Sequence, residues 1–141
     1  MSAQAHKDLI SAIYGRMAAG EIDVLLENLT DDIEWTHQIN PQLATFGGTH
    51  KGIPAVRANF QQINEGMPPQ AIEGHQMIAE GDHVCVLCQI TRTDPAGQPV
   101  STKSLHHFTF RDGKIATFLE ILDTAEVLTY IQDSKLAAGT I

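Results

Sequence analysis

The sequence predicts an α+β fold, helices first and a meandering antiparallel sheet after. Apolar residues recur at helical spacing in the first half, alternating apolar segments fill the second, and tight-turn signals separate those segments. In residues 9–17 the apolar side chains Leu9, Ile10, Ile13, Tyr14 and Met17 keep helical spacing, and Gly20 is placed to end that helix. Asp23 can cap a short second helix carrying Val24, Leu25, Leu26 and Leu29. Residues 33–37 alternate as a first strand.

Residues 38–51 hold Pro41 and Gly47-Gly48 and read as a loop passing over the strand end. Pro54 suits a first helical turn, and Ile53, Val56, Phe60 and Ile63 give the third helix one apolar stripe before Gly66. Residues 71–79, 83–93, 100–110 and 115–122 read as strands two to five, with Glu80-Gly81-Asp82 and Arg111-Asp112-Gly113-Lys114 as tight turns. Residues 125–131 form a closing helix. No internal repeat or low-complexity tract occurs.

A chain of 141 residues has the size of one domain and buries roughly 70% of its unfolded surface, enough for a core without disulfide or metal staples. Its formal charge of −8 carries no basic cluster, so nucleic acid and anionic membranes are poor partners and a small ligand fits better. No leader-like or membrane-length apolar run is present, and the expected location is cytoplasmic. Cys85 and Cys88 have the spacing of a redox or zinc pair, but lie within a strand where residues three apart face opposite ways, so two buried, unconnected thiols are expected.

Alternation sets His106, Phe108 and Phe110 on one face of the fourth strand, and Ala116, Phe118, Glu120 and Leu122 on one face of the fifth. If these aromatics pack on the helices, His106 and Glu120 share the inner face. Ile33 and Trp35 aim His37 at the same interior unless its place near the strand end leaves it solvated. His106 is either a core histidine satisfied by Glu120 or a backbone carbonyl, or a ligand-facing one. Glu120, in an apolar strand, must be neutral, paired with a histidine, or wet. Asp123 is either a helix cap or a pocket residue.

The outer face carries Cys85, Leu87, Leu105, Leu119 and Ile121, which a second copy of the sheet in a two-fold dimer, or else a packed C-terminal segment, would cover. Adjacent His106 and His107 face opposite ways and no metal-ligand spacing occurs, so no metal site and no cofactor are expected. Serine-hydrolase, phosphate-loop and dinucleotide motifs are absent.

The order of elements, with Ala19-Gly20-Glu21-Ile22-Asp23, Asp31-Asp32, Gly47-Gly48-Thr49, Gly52-Ile53, Ala79-Glu80-Gly81-Asp82 and Phe108 to Ile115, resembles SnoaL-like, ketosteroid isomerase-like members of the nuclear-transport-factor-like superfamily. The resemblance spans nearly the whole chain. It implies a cone-shaped barrel in which a curved antiparallel sheet wraps N-terminal helices, a pocket at the open end, and dimers formed through the outer sheet face. It also implies one SnoaL-like domain over 1–141.

By the same resemblance, His37 holds the place of the ketosteroid isomerase base, and His106 that of its oxyanion acid. Ile13 holds the place of the oxyanion tyrosine, with Tyr14 one step away, so the tyrosine itself is expected to be missing. Cyclase relatives use a late acidic residue, for which both Glu120 and Asp123 qualify. The expected catalytic residues are therefore His37, His106, Glu120 and Asp123. Tyr14, Trp35, Phe46, Phe60, Phe108 and Leu122 are expected to line the pocket.

The function expected is isomerase, cyclase or hydratase chemistry on a small apolar carbonyl or cyclic molecule, with acid-base side chains and no metal. The alternatives are a non-catalytic ligand-binding dimer and a structural dimer whose pocket is plugged.

Overall fold

Ser2 sets the start of the first helix earlier than its apolar stripe does. The Ser2 hydroxyl accepts the Ala5 N–H at 3.1 Å, and α1 runs Ala3–Ala18, as seen in a computed structural model that describes residues 1–139. Gly20, at φ 85°, turns the chain out of it. The second helix, α2, spans Asp23–Leu26. Asp23 is its first residue and not its cap, and the carboxylate instead pairs with Arg57 at 3.0 Å.

The first strand, β1, spans Leu29–His37 and so begins before Ile33, with Asp31 and Asp32 on its exposed edge and a register irregularity that parity cannot reveal. The segment expected as a loop contains a short strand, β2 (Gly48–Lys51), paired antiparallel with β1. Its polar residues give no apolar alternation to read. Gly47 is required just before it, because a Cβ there would lie 2.3 Å from the Ile39 carbonyl oxygen.

Helix α3 spans Ile53–Gly66, followed by β3 (Ala71–Glu80), β4 (His83–Thr93), β5 (Pro99–Arg111), β6 (Lys114–Leu122) and α4 (Thr124–Ala137). Asp112 and Gly113 at the β5–β6 turn both have positive φ, 52° and 79°, as a tight hairpin requires. The sheet order is β2-β1-β6-β5-β4-β3. The expectation of an antiparallel sheet is corrected at one ladder: β6 returns beside β1 and pairs with it in parallel, so the sheet is mixed. A parallel neighbour far away in sequence leaves no local signature.

α1, α2 and α3 cover one face of the curved sheet and enclose a core that includes Ile10, Leu25, Ile33, Trp35, Val56, Val86, Phe108 and Phe118. Ile115 joins it where Ala116 was expected, because the register shifts between Thr109 and Phe110. A second cluster of Ile39, Ala44, Phe46, Met67 and Val127, with Leu122 against it, packs at the start of α4. Cys88 is buried inside, while Cys85 is half-buried on the opposite face, which corrects the expectation of two buried thiols. That outer face also leaves Ile78, Leu87 and Ile121 exposed at 56, 45 and 49%. No helix among the described residues is long and apolar enough to cross a membrane.

Candidate functional site

Strand register brings three ionisable side chains into one row. His37 of β1 stands opposite Glu120 of β6, and Glu120 stands opposite His106 of β5. All three face inward and are buried. His37 Nδ1 lies 2.7 Å from Glu120 Oε1, and His106 Nε2 lies 2.8 Å from Oε2. Ser104, two residues before His106 on the same face, donates its hydroxyl to Oε2 at 2.8 Å. Burial alone would raise the Glu120 pKa; the hydrogen bonds and charge of the two histidines prevail and hold it well below the usual carboxylate range. Oε1 receives one of these bonds and Oε2 two, so Oε1 keeps acceptor capacity.

The far nitrogen of His37, Nε2, lies 2.9 Å from Asn59 Oδ1. The Asn59 amide is oriented by Nδ2, which donates to the Phe46 carbonyl at 3.0 Å. Its oxygen therefore faces His37. Both nitrogens of His37 are thus engaged, one by Glu120 and one by Asn59, and neither is free to meet a ligand. A ligand could reach either nitrogen of His37, the expected base, only by displacing Glu120 or Asn59.

His106 Nδ1 lies 2.5 Å from the Tyr14 hydroxyl and 3.4 Å from Cys88 Sγ. Burial opposes a charge on this ring, but its bonds to Cys88 and Glu120 and the Glu120 charge outweigh burial and raise its pKa to about 9. At neutral pH the ring is protonated and donates from Nε2 to Glu120 and from Nδ1 to the phenol oxygen. The phenolic hydrogen can then turn to a ligand or to Cys88 Sγ, 3.8 Å away. Burial foremost, then Cys88 and Glu120, raise the Tyr14 pKa, so it remains a phenol. Tyr14 thus supplies the hydroxyl that Ile13 cannot: Ile13 packs in the core, and the next position on α1 reaches His106.

These groups open on a cavity of about 260 Å³ lined by Tyr14, His37, His106 and Glu120 and walled by Trp35, Phe60, Phe108 and Phe118. Trp35 stacks on Phe118 with ring centroids 3.8 Å apart. Two expected wall residues lie elsewhere: Phe46 and Leu122 belong to the second cluster, which the fold of loop and α4 creates. Asp123 is exposed and caps α4, accepting the Glu126 N–H at 3.1 Å, so it lies outside the cavity. A larger depression of about 530 Å³, between residues 36–49 and the start of α4, is more open and touches only His37 of the row.

Asn59 and Ser104 were not anticipated. Ser104 shares strand parity with His106 and could have been found that way; Asn59 interrupts the apolar side of α3 between Val56 and Phe60, and only its partner explains it.

A mixed sheet curved over helices, with ionisable side chains gathered in an apolar cavity, defines the α+β cone class of pocket protein. The chain belongs to the SnoaL-like domain family, whose sequence model matches residues 10–118. Among solved structures it is similar to an NTF2-like protein of unknown function from Burkholderia pseudomallei, with 24% identity over 93% of this chain and 98% of that one and a TM-score of 0.81. It is similar to TerC co-crystallised with polyporic acid, with 24% identity over 89% and 96% and a TM-score of 0.78. A protein with a ketosteroid isomerase-like fold from Catenulispora acidiphila, in complex with trimethylamine, shares 12% identity over 88% and 92% with a TM-score of 0.71. At these identities the likeness is one of fold. None of the curated proteins compared matches the chain.

Proposed function

We propose that the chain binds a small, largely apolar, carbonyl-bearing or cyclic molecule in this cavity and moves a proton on it, as isomerases, cyclases and hydratases do. The observation that carries this reading is the unbroken hydrogen-bonded chain Tyr14–His106–Glu120–His37–Asn59, whose first four members line the cavity. Tyr14 donates to the substrate oxygen where negative charge develops, backed by protonated His106. Glu120 takes and returns the proton through Oε1, its carboxylate held by His37 and His106. Fold relatives co-crystallised with polyporic acid and with trimethylamine support a small-molecule cavity.

The test is α-hydrogen exchange of small cyclic ketones and β-keto esters in D₂O, followed by NMR. The wild type is expected to accelerate exchange, and Tyr14→Phe and Glu120→Gln to lose about 10²–10³-fold of that rate. Binding without any accelerated exchange would leave the non-catalytic ligand-binding reading in its place. The proposal includes a second copy of the chain seated on the apolar outer sheet face, where Ile78, Leu87 and Ile121 are exposed.

A further inference from the structure

The inward positions of β4 run Val84, Val86, Cys88, Ile90 and then Arg92, so an apolar row ends in a cation towards the cavity rim, where Asn64 and Gln70 also line the wall. The other arginines each pair with a carboxylate: Arg16 with Glu21, Arg57 with Asp23 and Arg111 with Asp32. Those three pairs are on the surface, where they contribute little.

Arg92 is the more buried group and has no ion pair in contact, although the Glu120 charge acts on it from a distance. Its Nε donates to the Met67 carbonyl at 3.0 Å, which fixes the plane of the guanidinium, and its two terminal nitrogens have no hydrogen-bond partner among the described residues. Burial disfavours the charge on Arg92, and its open donors, which still reach solvent, are available to an anion. In a chain of net charge −8, that arrangement suits one particular anion and not anions in general.

Resting on the reading of the cavity as a ligand site, we propose that Arg92 recognises a carboxylate, and that the ligand is a small cyclic or aromatic monocarboxylic acid. Its acid group forks onto the guanidinium while its ring lies among Trp35, Phe60, Phe108 and Phe118. Arg92 lies four positions along β4 from Cys88, the neighbour of Tyr14 and His106, or about 13 Å of strand. With the side chains reaching inward from both ends, the span fits a ring with a short arm. A cavity of about 260 Å³, below the usual range of about 300–1,000 Å³ for drug-sized ligands, sets the same limit. Arg92 thus sets the orientation, presenting the far end of the ligand to Tyr14.

The experiment uses Trp35, the sole tryptophan, as a fluorescent reporter in the cavity wall. Benzoate, phenylacetate, cinnamate and cyclohexanecarboxylate are titrated against the wild type beside their neutral carboxamides. The acids are expected to bind at least about tenfold more tightly than the amides, as for a charge-assisted pair. Arg92→Gln should bring that ratio to about one, and Arg92→Lys, which keeps the charge, should retain part of the preference. Equal affinity for acid and amide in the wild type, or an acid preference that survives Arg92→Gln, would overturn the assignment of Arg92 and leave the ligand cavity standing. Failure of every acid and every amide to bind would overturn the ligand reading, and this inference with it.

Discussion

Glu120 is the residue on which the site turns, and its carboxylate and the His106 imidazole give stability opposite dependences on pH. The His106 pKa is raised, so the stability this ring contributes is complete below its ordinary 6.5 and is lost as pH climbs through about 9. The Glu120 pKa is lowered, so its contribution is complete above the ordinary 4.5 and is lost as pH falls through its depressed value. The thermal midpoint of the wild type should therefore fall by several degrees between about pH 6.5 and 9.5. His106→Gln should start lower and stay flatter across that window. Parallel profiles in a melting series would show that His106 does not carry the effect. The row itself was legible from strand parity, since His37, His106 and Glu120 share faces with Trp35, Phe108 and Phe118. The reach of Tyr14 was not, because one step on a helix turns a side chain by about 100° and only the packed orientation of α1 decides which of Ile13 and Tyr14 meets the sheet.

At the level of elements, the helices and the strands from β3 to β6 were readable because their apolar patterns and turn residues agree. β2 has no such pattern, and its pairing with β1 depends on where Gly47 lets the chain approach Ile39. Phe46 and Leu122 were expected on the cavity because both are apolar and near strand ends; the loop and α4 instead draw them into a core of their own. The outer sheet face makes the clearest prediction at this scale. Leu87, Leu105 and Ile121 lie side by side on β4, β5 and β6, flanked by Ile78, Cys85 and Leu119. If a second copy covers this band, Leu87→Glu with Ile121→Glu should turn a dimer into a monomer in sedimentation velocity while the helix content is kept. A wild type that sediments as a monomer would contradict the dimer.

Across the whole molecule, the acidic chain keeps Arg92 and the imidazoles around Glu120 at the cavity, while its acidic side chains other than Glu120 lie largely outside the core. The sheet aligns the histidines with Glu120, α1 brings Tyr14 to His106, and α3 brings Asn59 to His37, so three separate parts of the fold hold one hydrogen-bonded chain. Residues that work through one another lose function as a unit. The most direct measurement is the α-hydrogen exchange rate of one bound cyclic ketone with Tyr14→Phe, His106→Gln and the double variant. If His106 acts by backing the Tyr14 hydroxyl, the double variant should be no more than about threefold slower than Tyr14→Phe alone. Losses that multiply would mean that Tyr14 and His106 act independently, and would contradict the account.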